Sequence, residues 1–364
     1  MSVVLALFGA GSTALADEPD TLELAQYSEP MFGGSAEQGG ESFDDEDMFS
    51  SDPRYDWDLS EGPTDVNQFF ATPELTHYFQ ADALWLARAH TVDTSVAVTL
   101  PPGSHSALSS QDASLSGQYA IGTILTLGRR IDQVSAVELT FWGFNTWDSS
   151  AQATGPGNLS IPGTLALVTQ DYIFADRIKI DYNSTIYTTE ANYLQSISGM
   201  TLLAGFRYVR LNEGLDLNSR VDALNSSSDY TVKVKNNLIG GQLGLGFSQQ
   251  WDRLVVDLLG KFGVFANVAQ QNTQLWDVNN TVLRRNWADN TISTSVLGEI
   301  ALNGTYHVTD WLSVRAGYRF LWINNVAAAP SQLDFNDSVY AGKTINAQEY
   351  LYLHGVNLGL EARW

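Results

Sequence analysis

The sequence predicts an all-β protein: an antiparallel, up-and-down transmembrane β-barrel of about ten strands, with twelve also open, preceded by a disordered acidic N-terminal segment. Three observations carry this. From residue 77 onward the chain falls into stretches in which apolar and polar residues alternate with a period of two, as in strands with one face in lipid and the other turned inward. The connections alternate between tight turns and long polar loops, which is how such a barrel distributes them between its two rims. No stretch reaches the roughly 18 consecutive apolar residues of a spanning helix, so a bilayer can be crossed only by a closed barrel without a free strand edge.

Composition narrows the chemistry. The 364 residues carry 41 acidic and 19 basic side chains, a net charge of -22, and no cysteine. Disulfides, thiolate metal sites and cysteine nucleophiles are excluded. The acidity, without clusters of Lys and Arg, argues against nucleic acid as a partner. No cofactor is expected.

In chain order, residues 1–16 hold the short apolar run Val3 to Phe8 and then Ala14-Leu15-Ala16 before Asp17, which resembles the end of a secretory signal without its basic start. Residues 17–70 read as a disordered periplasmic segment. Between 17 and 65 there are sixteen acidic residues and one base, Arg54, too little apolar surface to offset the entropy of ordering. The run Asp44-Asp45-Glu46-Asp47 lacks the glycine hinge and ligand spacing of an EF-hand, so it reads as solvated charge and no metal site is assigned.

The barrel is expected over residues 76–364, with strands at 77–89, 117–130, 134–147, 178–195, 200–212, 229–248, 253–269, 291–307, 312–324 and 349–364. Turns fall at 131–133, 196–199, 249–252 and 308–311. Long loops fall at 90–116, 148–177, 213–228, 270–290 and 325–348, with two further strands open around 96–100 and 107–115. Loop 148–177, with Gly155-Pro156-Gly157 and Ile161-Pro162-Gly163, is the expected constriction. An even strand number returns the C-terminus to the turn side, expected to be periplasmic and to hold the N-terminal tail.

The last strand shows the pattern most clearly. Val356, Leu358, Leu360, Ala362 and Trp364 share one face, and Asn357, Gly359, Glu361 and Arg363 the other. An aromatic final residue in this frame resembles the signal by which the barrel-insertion machinery takes up bacterial outer-membrane proteins; Val356, Leu358, Leu360 and Trp364 would form it. Trp85, Trp142, Trp147, Tyr208, Trp251, Trp311, Trp322 and Trp364 are expected in interfacial girdles against outer-membrane lipid. The Gly-rich stretch Gly240 to Gly246 runs into a turn and another strand instead of a helix, so it reads as a bulge that changes the frame of its strand.

Several stretches carry a family resemblance: Ala81-Asp82-Ala83-Leu84-Trp85, Tyr187-Thr188-Thr189-Glu190-Ala191-Asn192, Ala204 through Glu213 with its Gly-Phe-Arg-Tyr, and Asn236-Asn237-Leu238-Ile239-Gly240-Gly241-Gln242-Leu243-Gly244. Together they resemble the putative beta-barrel porin seven family of bacterial outer-membrane proteins. The resemblance spans most of Ala81 to Trp364 and leaves the acidic segment outside. It implies an outer-membrane barrel with a pore role, and brings no substrate and no catalytic residues.

Projecting the alternation inward assigns to the lumen Asp82, Arg88, Glu138, Lys179, Asp181, Glu190, Arg207, Lys233, Lys235, Asp257, Lys261, Glu299, Arg315, Arg319, Glu361 and Arg363. Both signs are interleaved, as in a channel that sets a field and a size limit for small polar solutes, or in a plug of paired charges. The histidines His77, His90, His105, His307 and His354 have no nucleophile motif beside them, so no catalytic residue is assigned and a hydrolase is the least favoured reading. The leading expectation is therefore a porin-like passive channel for small hydrophilic solutes, not an enzyme. Its alternative is a non-conducting structural, receptor or adhesin barrel that works through its outer loops. A homo-oligomer stays open.

Overall fold

The computed structural model describes residues 76–89, 92–100 and 105–364. The signal-like residues 1–16, the acidic segment 17–70 and His90 lie outside them.

Twelve strands form one antiparallel sheet: β1 (His77–Arg88), β2 (Ser95–Thr99), β3 (Ser106–Ser109), β4 (Tyr119–Arg130), β5 (Ser135–Ser160), β6 (Ile173–Ile197), β7 (Met200–Val221), β8 (Ser226–Trp251), β9 (Leu254–Asp277), β10 (Val282–His307), β11 (Leu312–Val326) and β12 (Glu349–Arg363). Ten of them close a ring, because β1 pairs with both β4 and β12, and β5 pairs with both β4 and β6. The seam is tight: His77 N donates to Trp364 O at 2.9 Å and Trp364 N to His77 O at 3.0 Å. The hairpin β2–β3 stays out of the ring and joins it only at the far end of β5, where Val98 and Thr99 pair with Ser160 and Leu159. The bore is therefore that of ten strands.

The strands are longer than a bilayer requires. Strands β5 to β10 run 22 to 26 residues, whereas about 9–11 tilted residues cross the hydrocarbon. The expected long loops 148–177, 213–228 and 270–290 are mostly strand, and the connections shrink to residues 161–172, 222–225 and 278–281. Their Asn, Ser and Asp content suits a wall standing in water beyond the lipid as well as it suits a loop.

Strand β8 shows the change of environment. Near the turn end its outward residues are apolar and exposed, Ile239, Leu243, Leu245 and Phe247, while Gln242 points inward and is buried. An outward apolar band of about nine residues at ~3.3 Å each, tilted ~40°, is about 23 Å tall, close to the ~25 Å band of outer-membrane barrels. Farther along the same strand Tyr230, Val232 and Val234 point inward and are fully buried, while Lys233 and Lys235 face out. The pairing of β8 with β7 and β9 is unbroken through this stretch, so Gly240 to Gly246 hold no bulge. What changes is the polarity of each face.

A parity change does occur in β5. Its register shifts between Gly143 and Asn145, with Phe144 at φ 62. Thr140 and Trp142 point inward before the bulge, and Asn145 and Trp147 after it. Both Trp142 and Trp147, expected in the lipid girdle, are thus buried inside. Trp251, Trp311 and Trp364 stand exposed on the outer face near the turn end.

Candidate functional site in the barrel lumen

The lumen is organised in three levels. At mid-height, the directly paired Glu190 and Arg207 of β6 and β7 meet residues from the opposite wall. Arg207 Nη1 reaches Glu299 Oε2 on β10 at 2.6 Å and lies 3.5 Å from Glu190 Oε1. Lys261 Nζ bonds Glu190 Oε2 at 2.8 Å, and Arg319 Nη1 donates to Glu299 Oε1. Gln242, at 2.9 Å, and Asn192, at 3.2 Å, also donate to Glu190 Oε2. The Arg207 guanidinium lies over the Trp142 ring, 5.7 Å from its centroid. The side chains of Arg207 and Glu190 are 0% exposed, while Lys261 and Arg319 carry the network to the edge of the turn-end cavity. Buried charges persist only when paired, and every charge of this network has an opposite partner, although Arg207 Nη2 and Arg319 Nε lack hydrogen-bond acceptors.

Toward the loop end the interior becomes an apolar core. Leu84, Leu86, Ile178, Ile180, Leu215, Leu217, Val232 and Leu351 point inward and are buried. Three connections fill the space between them. The hairpin segment supplies Val96, Ala97, Leu108 and Leu115, and residues 161–172 supply Ile161, Leu165 and Tyr172. The segment 327–348 bonds to the wall: Ala327 N donates to Asn236 Oδ1 and Ala329 N to Glu213 Oε2, both at 2.8 Å, and the Phe335 ring stands edge-on to Tyr230 at 6.0 Å. The expected constriction, 148–177, contributes Leu159, Ile161, Leu165, Ala166, Tyr172 and Ala175 to this core, and 327–348 adds Ala327, Ala329, Phe335 and Ala347. Within this core Arg88 is held by Glu213 Oε1 at 2.6 Å and Ser184 Oγ at 3.1 Å, with Tyr182 OH donating to Glu213 Oε2 at 2.9 Å.

At the turn end a cavity of about 200 Å³, lined by charged and apolar side chains, lies between the network and the rim. Tyr78 crosses it: Tyr78, Gly128 and Glu138 are in register on β1, β4 and β5, and the ring lies over Gly128, where a Cβ would come within 1.9 Å of it, to donate to Glu138 Oε1 at 2.6 Å. Asp257 accepts from Ser248 Oγ at 2.5 Å. Glu361 takes Arg363 Nε at 2.6 Å and Arg315 Nη1 at 3.5 Å.

Of the charged residues projected inward, Asp82, Arg88, Glu138, Glu190, Arg207, Asp257, Lys261, Glu299, Arg315, Arg319, Glu361 and Arg363 do face the interior. Four do not. Lys179 and Asp181 form an exposed 2.7 Å pair on the outer face of β6, whose alternate residues Ile178, Ile180 and Tyr182 are buried. Lys233 and Lys235 are on the outer face of β8. All four belong to the wall beyond the lipid, where water lies outside and the core inside. Glu213 was not among the projected residues, yet it lies six residues from Arg207 and so on the same face; carrying the alternation past Asn212 finds it. The histidines are scattered. His77 stacks on Trp364 with centroids 6.0 Å apart, His307 Nδ1 lies 2.7 Å from Ser313 Oγ, His354 Nδ1 lies 3.0 Å from Tyr318 OH, and His105 is exposed.

An antiparallel ring with an apolar outer band and a charged interior defines an outer-membrane β-barrel. Residues 102–364 match the family model described as "Putative beta barrel porin-7 (BBP7)", and the chain belongs to that family. No curated protein matches. Among solved structures, the chain is similar to the outer membrane protease OmpT from Escherichia coli at 10% identity and TM-score 0.40, covering 80% of this chain and 98% of that one. It is similar to the translocator domain of autotransporter NalP from Neisseria meningitidis at 9% identity and TM-score 0.38, covering 82% and 92%. A Pseudomonas aeruginosa FadL homologue gives 10% identity and TM-score 0.27, covering 79% and 90%.

Proposed function

We propose that the protein is a closed, non-conducting outer-membrane barrel that serves as a structural or receptor scaffold and works at its ends. The observation that carries this reading is the filled loop-end lumen, where residues 327–348 pack onto a buried apolar core above an ion network centred on the buried Glu190, Arg207 and Glu299. Apolar side chains make up most of that layer, and opening it would expose them to water. Exposed apolar side chains at the loop end, Leu167, Val339 and Tyr340, offer contact surface for a partner. On this reading the turns face the periplasm. Thr76, where the described barrel begins, then lies on the periplasmic side, as does the acidic segment before it.

A second reading, a passive channel for small hydrophilic solutes, is favoured by the turn-end cavity with charges of both signs, and requires residues 327–348 to leave the mouth. Planar-bilayer recording of the refolded full chain across a salt series separates the two. Electrical silence is expected, and conductance steps that scale with salt would sink the closed reading.

A further inference from the structure

The turn-end cavity has charged groups whose bonding is incomplete. The Arg315 side chain is 11% exposed, and its closest partner is Glu361 Oε2 at 3.5 Å. Its Nε–H is buried without a hydrogen-bond partner, and so is that of Arg319, four residues along the same inward face of β11. The carboxylates that share the cavity are engaged elsewhere: Glu138 by the Tyr78 hydroxyl, Asp257 by Ser248, and Glu361 mainly by Arg363. Of the five bases and three acids that line it, Lys261 and Arg319 are already paired with Glu190 and Glu299 just outside it, and Arg315 is weakly held. A guanidinium out of water needs acceptors on its whole fork, and unmet N–H donors in such a place are costly.

We infer that the turn-end cavity is a binding site for a small oxyanion, a carboxylate or a phosphate, held by the partly exposed guanidinium groups of Arg315 and Arg319. A planar or tetrahedral anion supplies the paired acceptors that a guanidinium fork fits. About 200 Å³ admits a solute of few heavy atoms. We assign the source as a free solute, and titration separates it from a lipid headgroup reaching in with its chains outside. The inference goes beyond the closed-barrel reading and does not depend on it: conductance tests the far half of the lumen, and anion binding tests this one.

The test is isothermal titration of the refolded full chain in detergent with sodium phosphate and, separately, sodium acetate, against sodium chloride at matched ionic strength and pH. Saturable one-site heat is expected with at least one of the two anions, and Arg315→Gln should weaken it about tenfold, the loss of one charge-assisted contact. Folding of the variant is checked by heat-modified gel migration. If Arg315→Gln does not fold, Arg315→Lys and Arg319→Lys keep the charge and lose the fork, and each should weaken binding severalfold. The inference is overturned by absence of saturable heat with both anions, by variant affinities equal to the parent, or by binding of dihexanoyl phosphatidic acid with none of the free anions.

Discussion

Leu243 and Lys235 both point outward from β8, eight residues apart on a strand paired without interruption to both neighbours, yet one belongs to an apolar face and the other to a polar one. Their inward counterparts reverse as well, from Gln242 beside Glu190 to Val234 in the apolar core. The solvent on each side explains the reversal. Around the first half of the wall lipid lies outside, so polar groups collect within and must satisfy one another. Around the second half water lies outside, and the interior packs like the core of a soluble sheet protein. One continuous wall thus obeys two opposite burial rules, and the interior is organised by ion pairing in one half and by apolar packing in the other.

The comparison breaks most readily at the ion network. Arg207→Ala leaves Glu190 and Glu299 buried with fewer partners, and should lower stability by about 3–5 kcal/mol, read from guanidinium unfolding of the refolded barrel. A loss of a few tenths would mean that water reaches the network. In the other half, Leu217→Ala removes a fully buried inward side chain and should cost about 2–5 kcal/mol through transfer and cavity terms; a negligible loss would show that the loop-end interior is not packed. The outer face sharpens the contrast with a pair of exchanges. Leu243→Lys, mid-band, should cost about 2–4 kcal/mol in lipid, whereas Lys235→Leu should stay within about 0.5 kcal/mol. Equal costs would remove the boundary placed between them.

The smallest effect lies at the turn rim. Asp132 Oδ1 accepts from Val134 N at 2.9 Å and Ser135 N at 2.7 Å, bonds that hold its carboxyl below the usual carboxylate range. A depressed folded-state pKa contributes stability above the unfolded value and loses it as pH falls through the folded one. The advantage of the parent over Asp132→Asn should therefore be full above about pH 4 and fade in stronger acid. A difference in thermal midpoint that is constant with pH would contradict it.

How much of this was legible depends on the stretch. Within the lipid band, alternation alone places Glu190, Arg207, Glu299, Arg319 and Glu361 on the interior, because a spanning strand permits no other home for their charge. Glu213 was within reach by the same count. Beyond the band the inference inverted: Lys179, Asp181, Lys233 and Lys235 were projected inward on a rule that no longer held there, and the reversal at β8 looked like a bulge. The real bulge, at Gly143 and Phe144, leaves a weak trace because Trp142 and Trp147 are apolar in either frame.

Strand periodicity, the turn positions, the even count and the inward charges of the lipid band follow from the sequence alone, since they depend on local alternation and on the cost of charge in lipid. Tertiary structure decided the rest. Which carboxylate Arg207 meets across the bore, how far the strands rise beyond the lipid, and that residues 327–335 pack into the loop-end core all depend on contacts between positions far apart in the chain. No local pattern encodes those contacts, because the energy that selects them comes from burying distant groups against one another.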